Sequence, residues 1–186
     1  RAILNVEGNF LPNVDYATAM RAGVRVLGCG TAYGQAVSEY SLGLALDLCR
    51  GISRGDRAVR TGDEQYFAAG NVGSILLHGA PVGILGFGIL GRSARKLLVP
   101  FQGIVRVFDP WLPDSVLREA DTVPSSLDET LSTSKVVFVF ATVTAESQHL
   151  LDARALALLP DGARLVLVSR AAVVDYDALL AEVTSG

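Results

Sequence analysis

From residue 81 onward the chain repeats one rhythm. A short run of Val, Ile and Leu is followed by a stretch with apolar positions three and four apart, and then by another aliphatic run. The aliphatic runs predict strands near 82–86, 104–108, 136–140 and 164–169. The stretches between and after them predict helices near 89–99, 114–120, 126–133, 147–158 and 175–184. Because the strand runs lack polar alternation, both of their faces must be covered, which calls for a parallel sheet between two layers of helices. The expected fold class is therefore α/β, a Rossmann-type doubly wound parallel sheet.

The first third reads differently. Two β-like runs, 2–6 and 24–27, flank a helical stretch at 16–22 with Gly, Asn and Pro between them, the composition of βαβ material. From Gln35 to about Arg60 the pattern is helical, and between Val37 and Cys49 only Glu39 and Asp47 are charged. A helix apolar nearly all round is expected to be buried, between two lobes or two subunits. Residues 61–80 show no clear period and read as a long connection into the next domain. The domain reading is 1–36 as one lobe, 37–80 as connecting helix and linker, and 81–186 as the parallel-sheet domain.

Composition narrows the function classes. Half of the 186 residues are hydrophobic and 19% are charged, enough to build a core, and the net charge of -3 argues against a nucleic-acid partner. The longest apolar stretch, 75–90, is interrupted by His78, Pro81 and four glycines, so no membrane span is expected. Cys29 and Cys49 have neither CxxC spacing nor a neighbouring histidine cluster, which leaves no metal site and no disulfide framework. They read as reduced, buried thiols of a cytoplasmic protein. Arg50, Arg54, Arg57 and Arg60 recur at helical spacing and read as a solvated face or a subunit contact.

The segment that carries chemistry is GILGFGILGRSARKLL at 83–98. Gly86, Gly88 and Gly91 form GxGxxG between an expected strand and an expected helix. The first glycine allows the tight turn, the second lets backbone approach a pyrophosphate, and the third lets helix and strand pack closely. The helix starting there directs unpaired amides and its positive dipole end at the phosphates. The next strand, IVRVFDP, ends in Asp109, 23 residues after Gly86. A carboxylate at that distance accepts hydrogen bonds from the adenosine ribose and repels a 2′-phosphate, so NAD is the expected cofactor. Asp109 followed by Pro110 also has the form of a turn start.

With these motifs in hand, the chain resembles the D-isomer-specific 2-hydroxyacid dehydrogenases. The resemblance runs in order through EGNFLPNVD (7–15), AVSEYSLGLAL (36–46), VGILGFGILGR (82–92), VFDP (107–110), VVFVFATVTAESQHLL (136–151) and LVLVSRAAVVDYDALL (165–180). It implies an NAD-dependent oxidoreductase that moves a hydride between nicotinamide and a 2-hydroxy or 2-oxo acid. It also implies that residues 1–36 end a flavodoxin-like substrate lobe, and that the assembly is a homodimer. By position, the resemblance implies that Arg170 holds the substrate carboxylate and reacting carbonyl, a task suited to its planar, permanently charged fork. Glu7, Gly8 and Asn9 would form the turn that receives the carboxylate. Ile89 and Leu90 would offer amides to the pyrophosphate, and Thr142 and Ser169 would lie along the nicotinamide ribose and ring. Glu39 reads as structural.

The chain departs from the family pattern in three places. Phe140, Ala141 and Thr142 stand where His-x-Pro is common, and Ala171 follows Arg170 where glycine is common. The family's acid histidine and its glutamate come from segments beyond residue 186, and His78 and His149 read as structural. The expectation is a fragment of a longer dehydrogenase whose sheet lacks its last strands. An NADH-binding scaffold or corepressor-like protein that does not turn over is the alternative. An NADP reductase is a weaker one, because Pro110 and Trp111 occupy the positions where a phosphate-binding arginine would follow Asp109.

Overall fold

In the computed structural model of the chain, residues 1–6 and 14–185 are described. The glycine turn expected at Glu7, Gly8 and Asn9 lies outside the described residues.

Two parallel strands, β1 (Ala2–Asn5) and β2 (Arg25–Gly28), form a small sheet joined by helix α1 (Tyr16–Arg21). Asp15 starts α1 by accepting the amide of Thr18 at 2.9 Å. The long helix α2 (Gly30–Arg50) then leads to α3 (Ile52–Thr61). One continuous helical stretch from Gln35 to Arg60 was expected, but Gly51, at φ 63°, breaks it into two. Within the connection at 61–80 the structure adds one unexpected turn of helix, α4 (Phe67–Gly70).

The second sheet contains β3 (Val82–Leu85), β4 (Val105–Phe108), β5 (Val123–Pro124), β6 (Val136–Val139) and β7 (Arg164–Leu167), in the spatial order β5-β4-β3-β6-β7. Every pairing is parallel, with Val82 opposite both Val105 and Val136. In chain order this is the 3-2-1-4-5 arrangement of a doubly wound nucleotide-binding sheet, and the order reverses between β3 and β6. Helices α5 (Ile89–Leu98), α6 (Asp114–Glu119), α7 (Leu127–Thr133), α8 (Ala153–Leu156) and α9 (Tyr176–Ser185) follow the strands. Ser126 and Glu129 have the spacing of a capping box, and the Ser126 hydroxyl accepts the Glu129 amide at 3.1 Å to start α7.

Alternate strand residues build two apolar layers. Ile84, Phe87, Val107, Val136 and Phe138 pack on one face with Ala45, Cys49, Ala94 and Leu98 from α2 and α5. Leu85, Val137 and Val139 face Leu131, Leu151 and Leu156 on the other. The α2 helix thus covers the sheet from a segment that precedes it in sequence. Its fully buried positions are the small residues Gly34, Ser38, Ser41, Ala45 and Cys49, and Leu42, Leu44 and Leu46 pack against the same layer half-buried. A Cβ on Gly34 would come within 2.9 Å of Ile89, so glycine sets how closely α2 and α5 cross. Within this chain one side of the helix stays exposed, at Tyr40 and Leu48, and Tyr33 near its start is exposed toward the cleft.

The helix expected at 147–158 shrinks to Ala153–Leu156. The loop before it follows another logic, because Leu151 makes a parallel bridge with Val174 and its amide donates to the Val173 carbonyl at 3.0 Å. His149 lies in this loop at φ 51° and is exposed, instead of starting a helix. Cys49 is fully buried, and burial pushes its thiol above the ordinary range; Cys29 is half-buried. Arg60 pairs with Asp56 at 2.8 Å and Arg54 donates to the Val72 carbonyl at 3.1 Å, so two of the four stripe arginines are tied to their own surroundings.

Candidate dinucleotide site

The C-terminal ends of β3, β4 and β6 open onto a cleft of about 690 Å³ at the point where strand order reverses. Crevices for ligands form at this point because loops leave adjacent strands toward opposite faces. Gly86, Gly88, Ile89, Leu90, Gly91, Asp109 and Thr142 all line it. Ser169 and Arg170 lie just beyond the end of β7 and outside this lining.

The three glycines are required for three different reasons. Gly86 has φ 89°, and a Cβ there would come within 2.9 Å of the Ala141 backbone at the end of β6. Gly91 faces the Gly86 carbonyl, with only 2.4 Å left for a Cβ. Gly88 has nothing within 4 Å of its Cβ position, and it borders the cleft. Side chains at the first two positions would collide with protein, whereas one at the third would fill space in front of α5. That is the cradle a pyrophosphate requires.

The start of α5 fits the same ligand. Asp15, Ser126 and Asp152 cap α1, α7 and α8 with side-chain oxygens, but Gly88 offers no side chain to cap α5. The first-turn amides of α5, which have no partner within the helix, remain available to an anion. The first turn also carries no acidic residue that would repel one.

Asp109 does two jobs. Its Oδ2 accepts the Phe87 amide at 2.7 Å, and its Oδ1 accepts the amides of Trp111 at 3.0 Å and Leu112 at 3.2 Å. The turn at 109–112 is therefore real, and the same carboxylate also holds the glycine loop. Two carboxylate oxygens have about four acceptor directions, so three backbone amides leave capacity for a ribose hydroxyl.

On the far side of the cleft, the loop after β6 is organised by the buried Ser147. Its hydroxyl donates to the Thr142 carbonyl at 2.5 Å and accepts the Thr144 amide at 2.7 Å. Thr144 also hydrogen-bonds the Glu146 side chain, holding that carboxyl below the ordinary glutamate range. The Ser169 hydroxyl is buried and has no hydrogen-bond partner among the described residues, a polar group left for something else to satisfy. Glu39 is exposed and accepts from Gln35 at 2.7 Å, on the α2 surface.

Five lining residues are not among those expected from the sequence: Val6, Gly30, Tyr33, Val37 and Trp111. Val6 and Tyr33 reach the cleft from the front of the chain, which no spacing rule indicates. Trp111, the single tryptophan, is 58% exposed beside Asp109. A large aromatic two residues past Asp109 is the available signal. Among the described residues no helix is long and apolar enough to cross a membrane.

Comparison with known proteins agrees with this geometry. A solved phosphoglycerate oxidoreductase from Rhizobium etli superposes with a TM-score of 0.88 at 42% identity, covering 100% of this chain and 56% of its own. The D-lactate dehydrogenase of Treponema pallidum is 35% identical over 164 residues, 88% of this chain and 48% of the relative. The hydroxypyruvate reductase of Thermotoga maritima is 29% identical over 176 residues, 95% of this chain and 56% of that protein. The chain thus spans about half the length of the relatives it matches. The family model for the D-isomer specific 2-hydroxyacid dehydrogenase, NAD binding domain, matches residues 42–186. With that match on a sheet whose glycine loop is shaped for a dinucleotide, the chain belongs to the D-isomer specific 2-hydroxyacid dehydrogenase family and carries its NAD-binding domain.

Proposed function

We propose that the protein is an NAD-dependent dehydrogenase that interconverts 2-hydroxy and 2-oxo acids. The observation carrying this reading is the convergence of Gly86, Gly88, Gly91, Asp109 and Thr142 on one cleft at the strand-order reversal. NAD would supply the hydride. The amides of Ile89 and Leu90 would receive its pyrophosphate, Asp109 its adenosine ribose, and Thr142 and Ser169 its nicotinamide end. Arg170, at the same sheet edge, would pair with the acid's carboxylate and polarise its carbonyl, with Glu7, Gly8 and Asn9 completing the carboxylate pocket.

In the domain organisation that goes with this reading, 1–36 belong to the substrate lobe, 37–80 connect, and 81–186 bind the cofactor. The proposed setting is cytoplasmic and the proposed assembly a homodimer. Exposed Tyr40 and Leu48 on α2, Ile52 and Val59 on α3, and Tyr66 and Phe67 at the start of α4 support the dimer.

The decisive variant is Arg170→Ala in the full-length protein. It should lower kcat/KM for 2-oxo acids at least about a hundredfold while the NADH dissociation constant moves less than about threefold. Loss of NADH binding in step with turnover would overturn the role of Arg170. NADH binding with no oxo-acid reduction by the wild-type protein would favour a nucleotide-responsive scaffold instead.

A further inference from the structure

Phe87 sits between the first two glycines of the loop, and its side chain is fully buried. Its peptide groups are held from both directions. Asp109 Oδ2 takes the amide at 2.7 Å, and the Arg92 Nε donates to the carbonyl at 3.1 Å. Arg92 begins one turn into α5, where its own amide donates to the Gly88 carbonyl at 3.1 Å, and its side chain folds back to the loop. The residue is exposed, so the guanidinium fills no core space. Its placement brings a permanent positive charge within a hydrogen bond of the segment that turns toward the open Cβ position of Gly88.

Charge balance explains the use of such a group. A bound dinucleotide brings two phosphate charges next to the Asp109 carboxylate. The uncapped start of α5 answers with only about half an elementary charge. Lys96 and Arg95 lie in the last turn of α5, and Arg95 is committed to Asp121 at 2.6 Å. Of the basic residues on α5, Arg92 is the one bonded to the loop itself.

We propose that Arg92 is a positioning residue for the pyrophosphate: it clamps the Phe87 carbonyl and places a fixed positive charge beside the phosphate-binding amides. The proposal rests on the cleft being the NAD site, and the experiment separates the two ideas. Full-length wild-type protein, Arg92→Gln and Arg92→Lys are titrated with NADH, with ADP-ribose and, by competition, with adenosine, and their melting temperatures are recorded. Gln should weaken NADH and ADP-ribose by about tenfold, as loss of a charge-assisted contact does, leave adenosine within twofold, and leave the melting temperature unchanged. Lys, which restores the cation, should return NADH binding to within about threefold of wild type. Equal weakening of all three ligands, no weakening by Gln, or a Lys variant as weak as Gln would each overturn the assignment. If the Gln variant does not fold, the Lys variant and the salt dependence of wild-type binding decide: NADH affinity that falls with salt no faster than adenosine affinity overturns it. Wild-type protein that fails to bind NADH would instead overturn the reading of the cleft.

Discussion

The two parallel sheets are made of similar aliphatic runs and end in different environments. In the five-stranded sheet every residue of β3 and β6 is buried, and Ile84 and Val137 have no exposed surface. In the two-stranded sheet β1 and β2 are mostly exposed, and Leu4 keeps 74% of its surface. Strand propensity is the same in both places. What differs is the cover: helices lie on both faces of the large sheet, whereas among the described residues of this chain α1 is the helix packed on the small one. A parallel strand stabilises a fold only when both faces are taken from water.

The largest expected effect breaks this contrast at its core. In the 186-residue chain, Ile84→Ala should cost about 4 kcal/mol by urea denaturation, because a packed centre cannot collapse around the lost methyls, whereas Leu4→Ala should cost less than about 0.5 kcal/mol. Equal losses would mean that the small sheet is as well packed as the large one. A pair of glycines sharpens the comparison further. Gly23, at φ 65°, has open space at its Cβ position, so Gly23→Ala should cost about 1 kcal/mol of backbone strain alone. Gly86→Ala adds a collision with the Ala141 backbone and should cost about 3 kcal/mol, with loss of NADH binding. The smallest effect lies on the surface of the large sheet's helical layer. Arg154 grips Asp128 with two hydrogen bonds of 2.9 and 3.0 Å, and these hold the Asp128 carboxyl below its ordinary range. A lowered folded-state value means that the contribution is present above the unfolded aspartate range and is lost as pH falls through the folded value. Asp128→Asn should therefore lower the melting temperature slightly at pH 7, and the difference from wild type should shrink steadily on acidification below pH 4.

The residues that could be read in advance were those whose signal is local. Val82, Ile84, Val107 and Val136 announce buried strands because they sit in unbroken aliphatic runs, and Gly86, Gly88 and Gly91 announce the loop by spacing. The strand Val123–Pro124 was missed because two residues, one of them proline, form no run; it exists because Arg106 and Val107 offer a free sheet edge. The start of α2 at Gly30 is not legible because two glycines in six residues look like a loop, and the reason for Gly34 lies elsewhere in the fold, in the side chain of Ile89. The over-long helix at 147–158 came from leucines at helical spacing that serve a bridge and a short helix instead.

By itself the sequence determined the types of most elements, the parallel sheet and the dinucleotide loop, since periodicity and glycine spacing act over a few residues. Tertiary structure alone decided that Asp109 holds Phe87 as well as its own turn, and that the fully buried positions of α2 are small residues. Each of these depends on groups brought together by sheet register and helix crossing. Hydrogen bonds and close contacts form over about 3 Å, and only the assembled fold brings positions 22 or 55 residues apart to that distance.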